Sequence, residues 1–141
     1  MKIINREILF RGKHIHTIPG NEHLNGTWVH GYLSDKNHIY DKNLEGEFLV
    51  DENTICQYTG EKDKNGQKIY EGDILEAHLD DSFPENVTRV RVTWENMKWC
   101  LVQKGMIPDP FEAGEGKDWE VIGNIFDNPE LIGDTKDGES R

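Results

Sequence analysis

The chain has 141 residues and a formal net charge of −11, from 27 acidic against 16 basic side chains. That length suits one domain, or one domain with an appended half-domain, and buries enough surface to fold without disulfide staples. Two alanines stand against thirteen isoleucines, seven valines, seven threonines and thirteen aromatics, which excludes a helical bundle, and no run nears the ~18 apolar residues of a membrane helix.

Residues 5–11 form the first strand candidate, with Ile8 and Phe10 on one face and Leu9 on the other. Residues 14–26 are polar and broken by Pro19-Gly20, so a loop is expected. Strand character returns over 27–33. Ser34 to Asn37 turns the chain, and 38–40 pairs back as a hairpin. Short strands follow at 48–50 and 54–58. Asn65-Gly66 is a tight-turn signal, and Glu71-Gly72-Asp73 turns the chain again. Strands are expected at 68–70 and 74–79.

Residues 87–94 give the clearest pattern. Val90, Val92 and Trp94 point one way, and Arg89, Arg91 and Thr93 the other, as in a half-buried strand. Residues 95–98 close a hairpin with 99–103. The stretch 105–118 holds Pro108, Pro110 and three glycines and reads as a long surface loop. The last strand is 119–126. Asn128-Pro129 then starts a helical turn, and 133–141 is a polar tail expected to be disordered. Together these predict a mainly β chain with little helix. Residues 1–58 form a set of strands packed on a small SH3-like antiparallel barrel at about 59–132.

The charge is uneven. Residues 1–70 carry nine bases and ten acids; residues 71–141 carry seven bases and 17 acids. An acidic surface keeps a protein soluble and disfavours general phosphate binding. It would also suit a basic partner, as a nucleic-acid mimic does. Met1 to Arg11 reads MKIINREILFR, too charged for a secretory leader, so a cytoplasmic chain is expected. Cys56 and Cys100 lie outside any CxxC pattern, and reduced thiols are expected.

Chemistry is sparse. Five of six histidines fall in the first 38 residues: His14, His16, His23, His30 and His38. His14-x-His16 would share a strand face, but no zinc spacing accompanies it, so solvated loop histidines and no metal are expected. Asp63, Glu71 and Asp73 would suit acid–base work or Mg²⁺ if they converged, yet Asp and Gly are also what turns require. There is no phosphate-binding glycine loop. Arg89 and Arg91, near Trp94 and Trp99, form a possible nucleic-acid face; the alternative is arginine stems lying over core tryptophans.

Two segments carry a resemblance. Thr54 to Leu75 reads TICQYTGEKDKNGQKIYEGDIL, and Glu120 to Ile132 reads EVIGNIFDNPELI. With REILFRG and WVHGYL upstream, these pieces resemble the YopX family of phage and prophage proteins over roughly residues 5–132. Glu61 stands where the family usually has a hydrophobic residue. The resemblance implies a β-rich fold encoded by bacteriophages and prophages. It carries over Gly60, Gly66, Gly72, Asp73, Gly123, Asn128 and Pro129 as structural positions, with no catalytic or cofactor residue. The reading is a non-enzymatic phage accessory protein of the host cytoplasm, acting on itself as a homo-oligomer or on a host or phage protein. The alternatives are a nucleic-acid module, an acidic mimic, and a metal-dependent enzyme.

Overall fold

The computed structural model describes residues 7–20 and 22–133. The chain divides into two compact units, Met1–Gly60 and Glu61–Arg141. Both are antiparallel β, as the composition requires. The tail expected at 133–141 lies outside the described residues from 134 onward.

The first unit holds β1 (Phe10–Lys13), β2 (Trp28–Asp35), β3 (His38–Asp41), β4 (Gly46–Leu49) and most of β5 (Cys56–Lys62). Their sheet runs in the order β4-β3-β2-β1-β5, continued by β6 (Lys68–Tyr70). Alternation selects the inner face. Val29, Ile39 and Val50 are fully buried, and Phe10, Phe48 and Ile55 pack on them. Beyond β1, His14 bridges Val50, and the Asp51 amide donates to the Lys13 carbonyl at 2.8 Å. These links bring the end of β4 back to the edge of β1, so the sheet curls tightly around its core. Gly31 permits that curl: a Cβ there would lie 1.9 Å from the Tyr40 carbonyl oxygen.

The second unit holds β6, β7 (Asp73–Ala77), β8 (Thr88–Glu95), β9 (Lys98–Val102), β10 (Asp109–Pro110) and β11 (Glu120–Asn124). Five of them form a sheet in the order β10-β9-β8-β7-β11. Leu75, Ala77, Val90, Val92 and Leu101 line its inner face, with Ile69, Phe111 and Trp119 over them. The expected barrel does not close. Its would-be seam strands are unsuited to pairing: β10 is two residues long and ends in Pro110, which has no amide to donate. β11 is bulged between Val121 and Gly123, and the Val121 amide is taken by the Asp63 carboxylate at 3.0 Å.

Most expected strands lie within two or three residues of their predicted bounds. The first sits further along the chain, at Phe10–Lys13. The 105–118 stretch is not a bare loop. It pairs through β10 with β9 and ends in a 3-10 turn, Glu115–Asp118.

Candidate functional site

The motif positions are turn machinery. Gly60, Gly66 and Gly72 all have positive φ. Asp73 is buried, and its Oδ2 accepts the Tyr70 amide at 2.8 Å. Asn128 occupies the N-cap position of the 3-10 turn Pro129–Ile132, yet its side chain does not cap that turn. Instead its Oδ1 accepts the Asn124 amide at 3.2 Å, and a Cβ on Gly123 would meet that same oxygen at 2.5 Å. Glycine at 123 is therefore set by the approach of Asn128. Asn124 fixes the intervening turn by accepting the Phe126 and Asp127 amides, each at 2.9 Å.

Two of the three carboxylates singled out as acid–base candidates, Asp63 and Asp73, accept backbone amides. Asp63 is buried; its Oδ1 accepts the Asn65 and Gln67 amides at 2.9 Å, and its Oδ2 holds β11 through Val121. Glu71 is half-buried in the turn before β7. Among the described residues, no three His, Cys, Asp or Glu side chains gather as metal ligands. His14 and His16 do meet, at 3.0 Å. The Leu49 carbonyl can only accept, so His14 Nδ1 donates to it at 2.8 Å. In the neutral pair, His16 Nδ1–H then donates to His14 Nε2. Both cysteines are free thiols, buried in their respective units.

The four residues of the expected binding face are not brought together. Trp94 pairs with Trp99 across β8 and β9, and Val92 with Leu101, so both indoles project on the core side. Arg89 and Arg91 project on the opposite side. Arg89 Nε donates to Glu76 Oε2 at 2.8 Å and its Nη1 to the Leu131 carbonyl at 3.2 Å. A shallow depression of about 400 Å³ lies beside it, lined by Val87, Gln103, Lys104, Leu131 and Ile132. Its lysine is engaged with the Gly133 carbonyl at 3.0 Å. The tryptophan pair is not fully in the core either. The rings meet edge-on at 4.9 Å, but Trp94 lies at the strand's end and is 51% exposed.

Two features escaped the sequence reading. Glu61 Oε1 accepts the Gly114 and Gly116 amides, at 2.9 and 3.2 Å, and so anchors the 105–118 segment. The second is a row of rings on β2. Trp28, His30 and Tyr32 alternate with Val29 and Gly31 and project from the outer face, and Tyr40 on β3 stands directly opposite Tyr32. Arg11 and Lys13 of β1 sit over Trp28, 4.7 and 5.4 Å from its ring centroid. The alternation W-x-H-x-Y was the available signal. What hid it was the register that adds Tyr40 and the cations.

No curated protein matches the chain. The model of the family described as YopX protein matches residues 18–133, which includes the turn-forming motifs, Glu61 and the ring-bearing strand. The chain belongs to the YopX family.

Proposed function

We propose that the chain is a non-enzymatic accessory protein, of phage or prophage origin, that works in the host cytoplasm by associating with a second copy of itself through the β8–β9 hairpin tip. The observation that carries this is the tip's own turn. Asn96 and Met97 both have positive φ, 52° and 63°. A two-residue hairpin of this kind favours glycine at its second position. Methionine there is conformationally unfavourable and the residue is 87% exposed, on the same hairpin as the half-exposed Trp94. A turn selected for stability alone would not carry that side chain.

The flanking charges fit self-pairing. Glu95 and Lys98 face each other in register at the tip. A two-fold contact between hairpins would set Glu95 of one copy against Lys98 of the other. The non-enzymatic part of the reading is supported by Asp63, both of whose carboxylate oxygens accept backbone amides, and by Asp73, which is buried in a turn with Oδ2 accepting the Tyr70 amide.

Light scattering on the whole chain, from about 1 to 500 μM, tests this reading. A mass that rises with concentration is expected. Met97→Gly should abolish the rise while leaving stability unchanged or up to about 1 kcal/mol higher, because glycine relieves the left-handed backbone. A strict monomer across the range, or association indifferent to Met97→Gly, would overturn it.

A further inference from the structure

We infer that the outer face of β1, β2 and β3 binds single-stranded nucleic acid, its bases stacking on His30, Tyr32 and Tyr40, with Trp28 and the cation over it at one margin. This goes beyond self-association at the hairpin and rests on the other unit of the chain.

The face is built by alternation. Along β2, every second residue carries a ring, so Trp28, His30 and Tyr32 follow one another at about 6.8 Å. Val29, the residue between the first two, is buried in the core and fixes the strand's orientation. Tyr40 extends the row sideways, because it pairs directly with Tyr32 and its neighbour Ile39 is fully buried. Tyr32 is 51% and Tyr40 44% exposed. Aromatic side chains this large on an outer sheet face are wet unless something stacks on them.

Charge selects the ligand. The Trp28 end of the row carries two cations over the indole: Arg11, only 7% exposed, and Lys13, half-buried and so the one left partly open to solvent. Rings in sequence with a cation at one margin are what a single strand needs: a π surface for the bases and a positive group for a phosphate. Two acids of β2 and β3 are engaged. Asp41 is buried, with Oδ2 accepting the His30 amide at 3.0 Å and Oδ1 accepting the Asn43 and Leu44 amides. Asp35 holds His38 at the end of the β2–β3 hairpin. Glu47, paired with Tyr40, remains exposed at the far end from the cations. That leaves a polarity along the face, with phosphates favoured at Trp28 and bases alone at Tyr40.

The acidic second half does not remove this site, because most of the net charge falls in residues 71–141. It does confine binding to short contacts. One phosphate neutralised at Lys13 gives a shallow salt dependence, a slope of roughly −0.7 for single strands.

The test is fluorescence titration of the whole chain with labelled oligo-dT and oligo-rU of about 12 nucleotides, at low and rising salt. Saturable binding with tryptophan quenching is expected. Tyr32→Ala and Tyr40→Ala should each weaken it about tenfold, with Tyr32→Phe restoring affinity. Lys13→Gln should flatten the salt slope by roughly 0.7. Unchanged thermal unfolding of the tyrosine variants would assign their loss to the face. Three results would overturn the inference: no binding at low salt; binding indifferent to both tyrosine variants but lost in Arg91→Gln; or preference for a proline-rich peptide, with salt-independent affinity, over either oligonucleotide.

Discussion

Asp35 shows how a single turn residue records its surroundings in its ionisation. Its Oδ1 accepts the Asn37 amide at 2.9 Å and faces His38 Nδ1 at 2.8 Å. The Asn37 amide first, and the His38 side chain second, hold its carboxyl below the ordinary value of 3.8. A carboxyl lowered in the folded state stabilises folding above its unfolded value, so this contribution is complete above about pH 3.8. It is lost as pH falls through the lower, folded value. NMR titration of the Asp35 carboxyl carbon should therefore give a midpoint under 3.8. In His38→Ala the midpoint should return only part of the way, because the larger cause is the backbone amide. A midpoint at the ordinary value in the parent protein would show that the turn does not hold in solution. The same residue illustrates what was legible. Ser34 to Asn37 reads as a turn from composition alone, whereas setting His38 opposite Asp35 requires the bulge between Leu33 and Asp35.

At the scale of elements, local signals placed the strands and long-range pairing escaped them. Val90 and Val92 mark the buried face of β8 by simple alternation, and the structure keeps that phase. The pairings β1–β5 and β7–β11 join strands distant in sequence, and nothing in the local pattern encodes them. The two ends of the 61–63 stretch make the same point. Glu61 looks like a polar intruder and Asp63 like turn chemistry, yet each reaches a segment more than 50 residues away. Their effects should differ by burial. Asp63→Asn places an amide nitrogen, or loses an acceptor, against buried N–H groups and should cost about 2 kcal/mol or more. Glu61→Ala frees one exposed amide, Gly114, and one part-buried amide, Gly116, and should cost less, about 1 kcal/mol. Its clearer consequence should be faster proteolysis within 105–118, since that anchor is gone. Urea denaturation of both variants checks the ranking, and the reverse order would show that the Asp63 bonds to Asn65, Gln67 and Val121 are not the ones holding β11.

For the whole molecule, the governing quantity is the −11 charge and its placement. Residues 71–141 hold 17 of the 27 acids, so like charges crowd one unit while the ring-bearing face lies on the other. Crowding of this kind opposes the compact state, and salt screens it over a Debye length of about 10 Å at 0.1 M. Raising NaCl from about 20 to 300 mM should therefore raise the melting temperature. The proposed nucleic-acid contact responds with the opposite sign, because salt competes for the phosphate that Lys13 would hold. Measuring both in one salt series separates them. A loss of oligonucleotide binding alongside a rising melting temperature belongs to the interface, whereas a parallel fall would trace the loss to unfolding. If the melting temperature falls with salt, the acidic half is not self-repelling, and its carboxylates are instead held by ion pairs such as Glu76 with Arg89.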